Sequence, residues 1–312
     1  MDCGRARLRR AGTRQSVDSG HDGCVAGRRR RSCGNAGSEL TYVIVRNVAI
    51  PTKMNNWAFE TVPQKGLNGR KGYQPRGKCL GGSSAINAMV YIRGHRQDYD
   101  DWSAMGNKGW SYDEVLPYFI KSENNERIHN QYHGNSGPLS VIDLHTDSPL
   151  HERYLRAAQE QGHKILDDFN GAEQEGLGIY QVTHINGERC STARAYLFPH
   201  LERKNLTVFT HALTEKILIE NHVAVGVQVK HAGEYKQLKA RKEVLLSAGA
   251  FQSPQILMLS GIGDAIELTE HQIEVKKHLP DLDTPLVFQK PPRSLSQFHP
   301  QYSLLDFYQY ID

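Results

Sequence analysis

The sequence predicts a mixed α/β fold in which helices alternate with short strands and one antiparallel meander stands apart. Three stretches carry that expectation. In residues 76–94, Arg-Gly-Lys-Cys-Leu-Gly-Gly-Ser-Ser-Ala-Ile-Asn-Ala-Met-Val-Tyr-Ile-Arg-Gly, a loop of small residues runs straight into an apolar segment able to begin a helical turn. Residues 206–210, 215–219, 223–229 and 235–238 alternate apolar and polar side chains, with Asn221 and Gly233 at bends, which is the pattern of an antiparallel meander. Val244-Leu245-Leu246 is a continuous apolar run that suits a buried strand returning to a central sheet, and the turn Ser247-Ala248-Gly249-Ala250 follows it.

Along the chain, residues 1–40 are rich in Arg, Gly, Ser and Cys and nearly free of large apolar side chains, so they are expected to form a disordered tail. From Thr41 the chain becomes globular, with a short strand at Tyr42-Val43-Ile44-Val45, a turn at Pro51 and an extended segment over 57–61. Residues 95–104 read as a helix closed by Gly106, and the next helix opens with a capping box at Ser111-Tyr-Asp-Glu114 and contains Pro117, which implies a kink. Trp102, Trp110, Tyr112 and Phe119 are expected in the core. Ser148-Pro149 starts a further helix that Gly162 ends, with Glu152, Arg153, Arg156 and Glu160 on its solvated face. Residues 163–190 are loop-rich, and Asp167-Asp168-Phe169-Asn170-Gly171 reads as a turn rather than a metal or acid site. Ser191-Thr192 caps a short helix stopped at Pro199, and Ser253-Pro254 caps one that ends at Ser260-Gly261. The expected division is a tail over 1–40, a region in two parts over 41–145 and 205–280, an intervening segment over 146–204 and an atypical tail over 281–312.

The loop at 76–94 carries the chemistry. Gly81 and Gly82 have no Cβ, so the backbone there can take unusual dihedrals and come close to a ligand. Ser83 and Ser84 suit a helix start whose free N–H groups would receive a phosphate. Asn87 brings a donor and an acceptor that a heteroaromatic ring could engage. A flexible linker is seldom followed at once by Ala-Ile-Asn-Ala-Met-Val-Tyr-Ile. The five residues Gly81-Gly82-Ser83-Ser84-Ala85 also approach the elbow that exposes a nucleophilic serine, but that elbow needs a buried strand before it, and Gln74-Pro75-Arg76-Gly77-Lys78 is polar and broken by proline.

Of the 312 residues, 38% are hydrophobic and 23% charged, an ordinary globular balance. The net charge of +4 is uneven, because residues 1–34 hold nine Arg, no Lys and three Asp. The body is therefore slightly acidic, which argues against a nucleic-acid-binding core. The alternative is that the Arg-rich tail itself binds nucleic acid or an anionic membrane. Cys3, Cys24, Cys33, Cys79 and Cys190 form no CxxC and no even framework, so free thiols in a reducing compartment are expected. No apolar run approaches a membrane span, and the basic N-terminus lacks the apolar core of a signal peptide, so a cytoplasmic location is expected.

Two long motifs resemble those of the glucose-methanol-choline (GMC) family of flavoprotein oxidoreductases. Gly77-Lys-Cys-Leu-Gly-Gly-Ser-Ser-Ala-Ile-Asn87 is similar to the first and Gly249-Ala-Phe-Gln-Ser-Pro-Gln-Ile-Leu-Met-Leu-Ser-Gly-Ile-Gly263 to the second. Residues 94–102 and 109–119, Gly-His-Arg-Gln-Asp-Tyr-Asp-Asp-Trp and Gly-Trp-Ser-Tyr-Asp-Glu-Val-Leu-Pro-Tyr-Phe, resemble bacterial choline and alcohol dehydrogenases of that family. The resemblance covers about residues 50 to 280. It implies an FAD-binding, Rossmann-like fold whose FAD-binding domain is formed by 41–145 and 205–280 with a substrate-domain segment at 146–204, and a dehydrogenase acting on CH–OH groups, with choline or a primary alcohol as substrate and a quinone or other non-NAD acceptor. It also implies that choline-type relatives can lie peripherally on the inner membrane.

Residue by residue, the resemblance brings Gly81, Gly82, Ser83, Asn87, Ala88, Met89 and Val90 to the pyrophosphate and flavin, and Thr214, Ala248 and Gly249 to the adenosine side. Some relatives attach flavin covalently through a histidine where this chain has Ile86, so FAD is expected to be non-covalent. The family's catalytic histidine pair lies in a C-terminal half that has no counterpart here. His95, His129, His133, His184, His200, His211 and His278 have ordinary surface or loop neighbours, so no residue is assigned to catalysis and none to a metal. Both ends depart from the pattern: the glycine turn of the first strand–turn–helix has only the echo Gly23-Cys24-Val25-Ala26, and after Pro280 the chain reads Asp-Leu-Asp-Thr-Pro-Leu-Val-Phe. The departures read as a shifted frame around a family fragment, and weak or absent FAD binding and no turnover are expected of such a chain.

Overall fold

The computed structural model describes residues 23–26, 55–145, 148–280 and 282. The strand expected at 42–45, the turn at Pro51 and most of both tails lie outside the described residues. The strands are β1 Gly23–Ala26, β2 Phe59–Glu60, β3 Tyr73–Gln74, β4 Val90–Tyr91, β5 Glu123–Asn125, β6 Leu139–Asp143, β7 Gln181–Val182, β8 His184–Ile185, β9 Glu188–Arg189, β10 Leu206–Phe209, β11 Ala212–Glu220, β12 Val223–His231, β13 Glu234–Lys239, β14 Ile262–Gly263 and β15 Lys277–His278. The α-helices are α1 Arg96–Ala104, α2 Tyr112–Ser122, α3 Pro149–Glu160, α4 Gly249–Leu259 and α5 Ala265–Glu270. The fold is mixed α/β, as expected.

Local chemistry explains the first three helices. At α1 the His95 N–H donates to Asp98 and the Gln97 N–H to His95 Nδ1, so two of the orphan donors at its start are satisfied by side chains. Gly106, at φ +94°, then turns the chain away in a left-handed conformation that costs glycine little. At α2 the Ser111 N–H and hydroxyl both donate to Glu114, and Pro117 lies inside the helix. The inner faces of α1 and α2 meet through Tyr99, Tyr112 and Val115, with Trp102, Trp110 and Phe119 packed around them, so these aromatics belong to the core. Pro149 opens α3, and Gly162 at φ +83° follows its end. Helix α3 buries no residue, and Leu150 and Tyr154 are exposed on it.

The strands fall into small sheets. β4, β7, β6 and β5 form a four-stranded sheet in that order, in which only the β5–β6 pair is parallel. β8 and β9 form a hairpin whose turn, Asn186 at φ +52° and Gly187 at φ +75°, has the two positive φ values a two-residue loop requires. β11, β12 and β13 form the meander, with turns at Asn221-His222 and Ala232-Gly233.

Four expectations need correction. The run at 206–210 is not the first strand of the meander, because β10 leaves it to pair in parallel with β1, Gly23 opposite Leu206 and Ala26 opposite Phe209. The N-terminal tail accordingly contains a strand where none was expected. Cys24-Val25-Ala26 is the short apolar run in that tail, and a parallel ladder satisfies its backbone groups. Residues 244–246 form no strand among the described residues, and Leu245 is 58% exposed, since a continuous apolar run becomes a buried strand only when neighbours flank it on both sides. Finally, α4 begins at Gly249 rather than at Ser253-Pro254. Ser253 lies one turn inside and its hydroxyl accepts the Ala248 N–H at 3.0 Å, so it caps the helix from within. Among the described residues no helix is long and apolar enough to cross a membrane.

Candidate cofactor site

The loop at 76–90 folds back on itself. A Cβ built on Gly77 would lie 1.9 Å from the Gly82 carbonyl oxygen, so the two glycines pack backbone to backbone. The Gly77 N–H donates to the Ser83 hydroxyl, and Gly81 and Gly82, both at positive φ, open a short 3₁₀ helix over Gly82–Ala85. The Gly81 Cβ position is hemmed in by Ser191 Oγ at 3.2 Å and by Ala193. Missing side chains at Gly77 and Gly81 are thus used first to bring the chain against itself, where sequence reasoning expected open room for a ligand.

A second segment, 189–193, clamps this loop. Thr192 donates its hydroxyl to the Gly81 carbonyl and its N–H, at 2.9 Å, to the Ser84 hydroxyl, which in turn donates to the Gly81 carbonyl. Arg189, the last residue of β9, donates Nη1 to the Ser84 carbonyl at 2.9 Å and to Asn87 Oδ1 at 2.7 Å, and Nη2 to the Asn87 carbonyl at 2.7 Å. Asn87 Oδ1 also accepts the Met89 N–H at 3.1 Å, which holds the buried Met89 at φ +63°. From there the chain enters β4, and the Met89 carbonyl accepts the Thr183 N–H.

The amide of Asn87 therefore has its oxygen engaged twice, while its nitrogen makes no hydrogen bond among the described residues. Ala88, beside it, is exposed, and Ile86 is 3% exposed. Among the described histidines, His184 comes within 3.1 Å of Met89 Sδ through Nε2, and burial together with the Arg189 charge holds its imidazole below the ordinary histidine range.

The second motif meets the first through Phe251 of α4. The Arg76 guanidinium lies over the Phe251 ring at 3.9 Å, and that ring packs edge-on against Phe59. At its other end α4 is tied to β11, where the Ile217 N–H donates to the Ser260 hydroxyl at 2.8 Å. Ala248 is the N-cap of α4, Gly249 sits at φ +85°, and Thr214 lies on β11 opposite Val229, next to a register shift. All ten candidate residues thus lie on two connected bodies, the clamped loop and the α4–β11 layer. None of them lines the surface cavity of about 340 Å³ beside Arg93, Arg96 and Asn170, or that of about 390 Å³ beside Ile219, Ser260 and Lys276.

Sequence reasoning missed a buried charge cluster beneath the four-stranded sheet. Glu123 accepts from Arg93 Nη2 at 2.6 Å and from Asn125 at 2.8 Å, and it pairs with His133 Nδ1 at 2.8 Å. His133 Nε2 reaches Asp168 at 3.1 Å. His133 lies in a loop, as expected, but is only 5% exposed rather than at the surface. The turn reading of 167–171 stands, because Asp168 also accepts the Asn170 N–H at 2.7 Å, and Asp167 pairs with Arg127. No group of metal-ligating residues occurs among the described residues. No local pattern links Glu123, His133 and Asp168, whereas the Asn186-Gly187 turn is a readable hairpin signal that would have placed Arg189 on a strand end.

Known proteins are similar to this chain. The family model described as GMC oxidoreductase matches residues 9–280, so the likeness begins ahead of the motif-bearing stretch from residue 50. An alcohol dehydrogenase (acceptor) of Pseudomonas putida is 46% identical over 234 residues, covering 74% of this chain and 42% of that protein. An oxygen-dependent choline dehydrogenase of Photobacterium profundum is 41% identical over 279 residues, covering 85% of this chain and 49% of that protein. The solved structure of an FAD-dependent oxidoreductase from Chaetomium thermophilum superposes with a TM-score of 0.72 at 31% identity, covering 82% of this chain and 46% of the other. The chain spans less than half the length of these curated relatives.

Proposed function

The chain belongs to the GMC oxidoreductase family, and we propose that it is the FAD-holding part of an oxidoreductase acting on CH–OH groups, of the choline or alcohol dehydrogenase kind. The observation that carries this reading is the clamped loop with its single committed amide. Asn87 is held so that it can offer a ligand only N–H, and a flavin ring carbonyl, a ring nitrogen or a phosphate oxygen is an acceptor of the matching kind. The residues present fit such a group. Gly81, Gly82, Ser83, Asn87, Ala88, Met89 and Val90 would hold it from the first motif, and Thr214, Ala248 and Gly249 from the second.

When bound, FAD supplies a two-electron acceptor for the hydride of an alcohol. The chain's own residues bind and orient. Arg189 and the Met89 N–H fix the Asn87 amide, and the Arg76–Phe251 contact ties the two motifs together. The buried aliphatic Ile86 leaves no nucleophile for a covalent link, so the attachment is non-covalent. His184 is kept neutral near neutral pH beside Met89, and no residue of this chain is given the catalytic base. Choline and primary alcohols are the proposed substrates, and a quinone or other non-NAD acceptor the proposed oxidant.

The chain joined to the C-terminal portion of the Pseudomonas putida relative should purify yellow and reduce a dye when given a primary alcohol or choline. A panel of the two ranks them. A colourless fusion without alcohol-dependent turnover would overturn the proposal.

A further inference from the structure

We infer that Arg189 is a positioning residue that sets which face of the Asn87 amide a ligand meets, an inference that rests on the cofactor reading for the identity of that ligand. An asparagine amide can rotate by half a turn and exchange its donor for its acceptor at little cost unless its neighbours choose. Here they choose. Arg189 Nη1 at 2.7 Å and the Met89 N–H at 3.1 Å both donate to Oδ1, and in the flipped state each would face an NH₂ group, donor against donor. The guanidinium holds the backbone as well, through the Ser84 and Asn87 carbonyls, so loop shape and amide orientation depend on the same side chain. Its planar fork makes these bonds together, which a lysine, a point charge on a flexible stem, cannot reproduce.

The turn Asn186-Gly187 delivers Arg189 to this position at the end of a two-residue strand. The neighbouring Glu188 pairs with Arg194. The hairpin thereby locks a donor-only amide in front of an acceptor-bearing ligand. His184 shares the site, and the Arg189 charge contributes to keeping its imidazole neutral.

The test uses the full chain with three variants, Arg189→Met, Arg189→Lys and Asn87→Asp. Hydrogen exchange without FAD reads the clamp. Arg189→Met should speed exchange of the Asn87 and Met89 amides by at least about tenfold while the meander amides stay unchanged, because three charge-assisted hydrogen bonds are lost locally. Arg189→Lys should fall between. Asn87→Asp keeps an acceptor for Arg189 and so keeps loop protection, yet it has no N–H to offer.

FAD fluorescence titration then reads orientation. Arg189→Met and Asn87→Asp should both weaken binding by about tenfold or more, although only the first loosens the loop. Uniform acceleration across all amides in Arg189→Met, or parental FAD affinity in Asn87→Asp, would overturn the inference. If the parent chain gives no saturable FAD signal while loop protection still depends on Arg189, the cofactor reading fails and the clamp stands.

Discussion

Replacing Glu123 by Gln probes the buried cluster beneath the sheet. The side chain is fully buried, as are its partners Arg93 and His133. Both carboxylate oxygens are used: one takes Asn125 and His133, the other Arg93 and, at 3.4 Å, the Gly134 N–H. A glutamine of the same size must therefore set an NH₂ against a donor on one side or the other, and it leaves the Arg93 charge without its partner. Breaking a buried pair in this way costs about 3–5 kcal/mol. For a chain of this size that corresponds to a fall in thermal midpoint of roughly 5–8 °C.

The pH profile adds a second signature. Burial pushes His133 down, but its hydrogen bonds with Asp168 and Glu123 outweigh burial and raise its pKa. A raised folded-state pKa stabilises fully below the unfolded value of about 6.5 and fades as pH climbs through the folded value. Asp168 is the mirror case. Burial pushes it up, the His133 hydrogen bond outweighs this and lowers it, and its contribution is present above about pH 4 and lost as pH falls through the depressed value. Thermal melts by circular dichroism across pH should show the parent declining on its alkaline side above about pH 6.5, and Glu123→Gln ending that decline at lower pH and losing less across it. A variant melting with the parent at every pH would refute the reasoning.

Other outcomes follow from single contacts. Ser260→Ala leaves the Ile217 N–H without its hydroxyl acceptor in a buried position and should cost about 1–3 kcal/mol in a urea titration, whereas an unchanged midpoint would mean that the strand re-pairs. Gly134→Ala places a Cβ 1.9 Å from the Ile120 carbonyl oxygen, between backbone atoms that cannot yield, so destabilisation should reach or exceed the roughly 1–3 kcal/mol typical of overpacking, and a parental melt would contradict this. Cys79 and Cys190 are buried, and burial pushes the Cys190 thiol up, so peptide-resolved alkylation at neutral pH should modify neither until the chain unfolds; rapid native labelling at either would place it at the surface.

What is legible in the sequence is local. The capping residues around α1 and α2, Pro149 and Gly162 around α3, and the bends of the meander each depend on a few neighbouring residues, and each stands where the sequence puts it. The two long motifs locate the loop and α4 for the same reason. What escapes depends on partners distant in the chain. The 206–210 run alternates just as meander strands do, and only its pairing with Gly23–Ala26 removes it from them. Arg189 acquires its meaning 102 residues from Asn87, and His133 acquires its own from Glu123 and Asp168. Glycines in a sequence show the freedom they allow, but whether that freedom serves a ligand or the chain itself is decided by Gly82, Ser191 and Ala193 lying against them.

The central claim, that the clamped loop is where FAD is held, is tested most directly by titrating FAD into the chain and into its Gly81→Val variant and following flavin fluorescence. Valine at Gly81 would have to adopt φ +92° with its Cβ 3.2 Å from Ser191 Oγ and 3.3 Å from Ala193, which forces the loop off the 189–193 segment. The account predicts weak but saturable quenching by the parent and none by the variant, with hydrogen exchange in the meander alike in both. Equal quenching by the two chains, or no saturable signal from the parent, would contradict it.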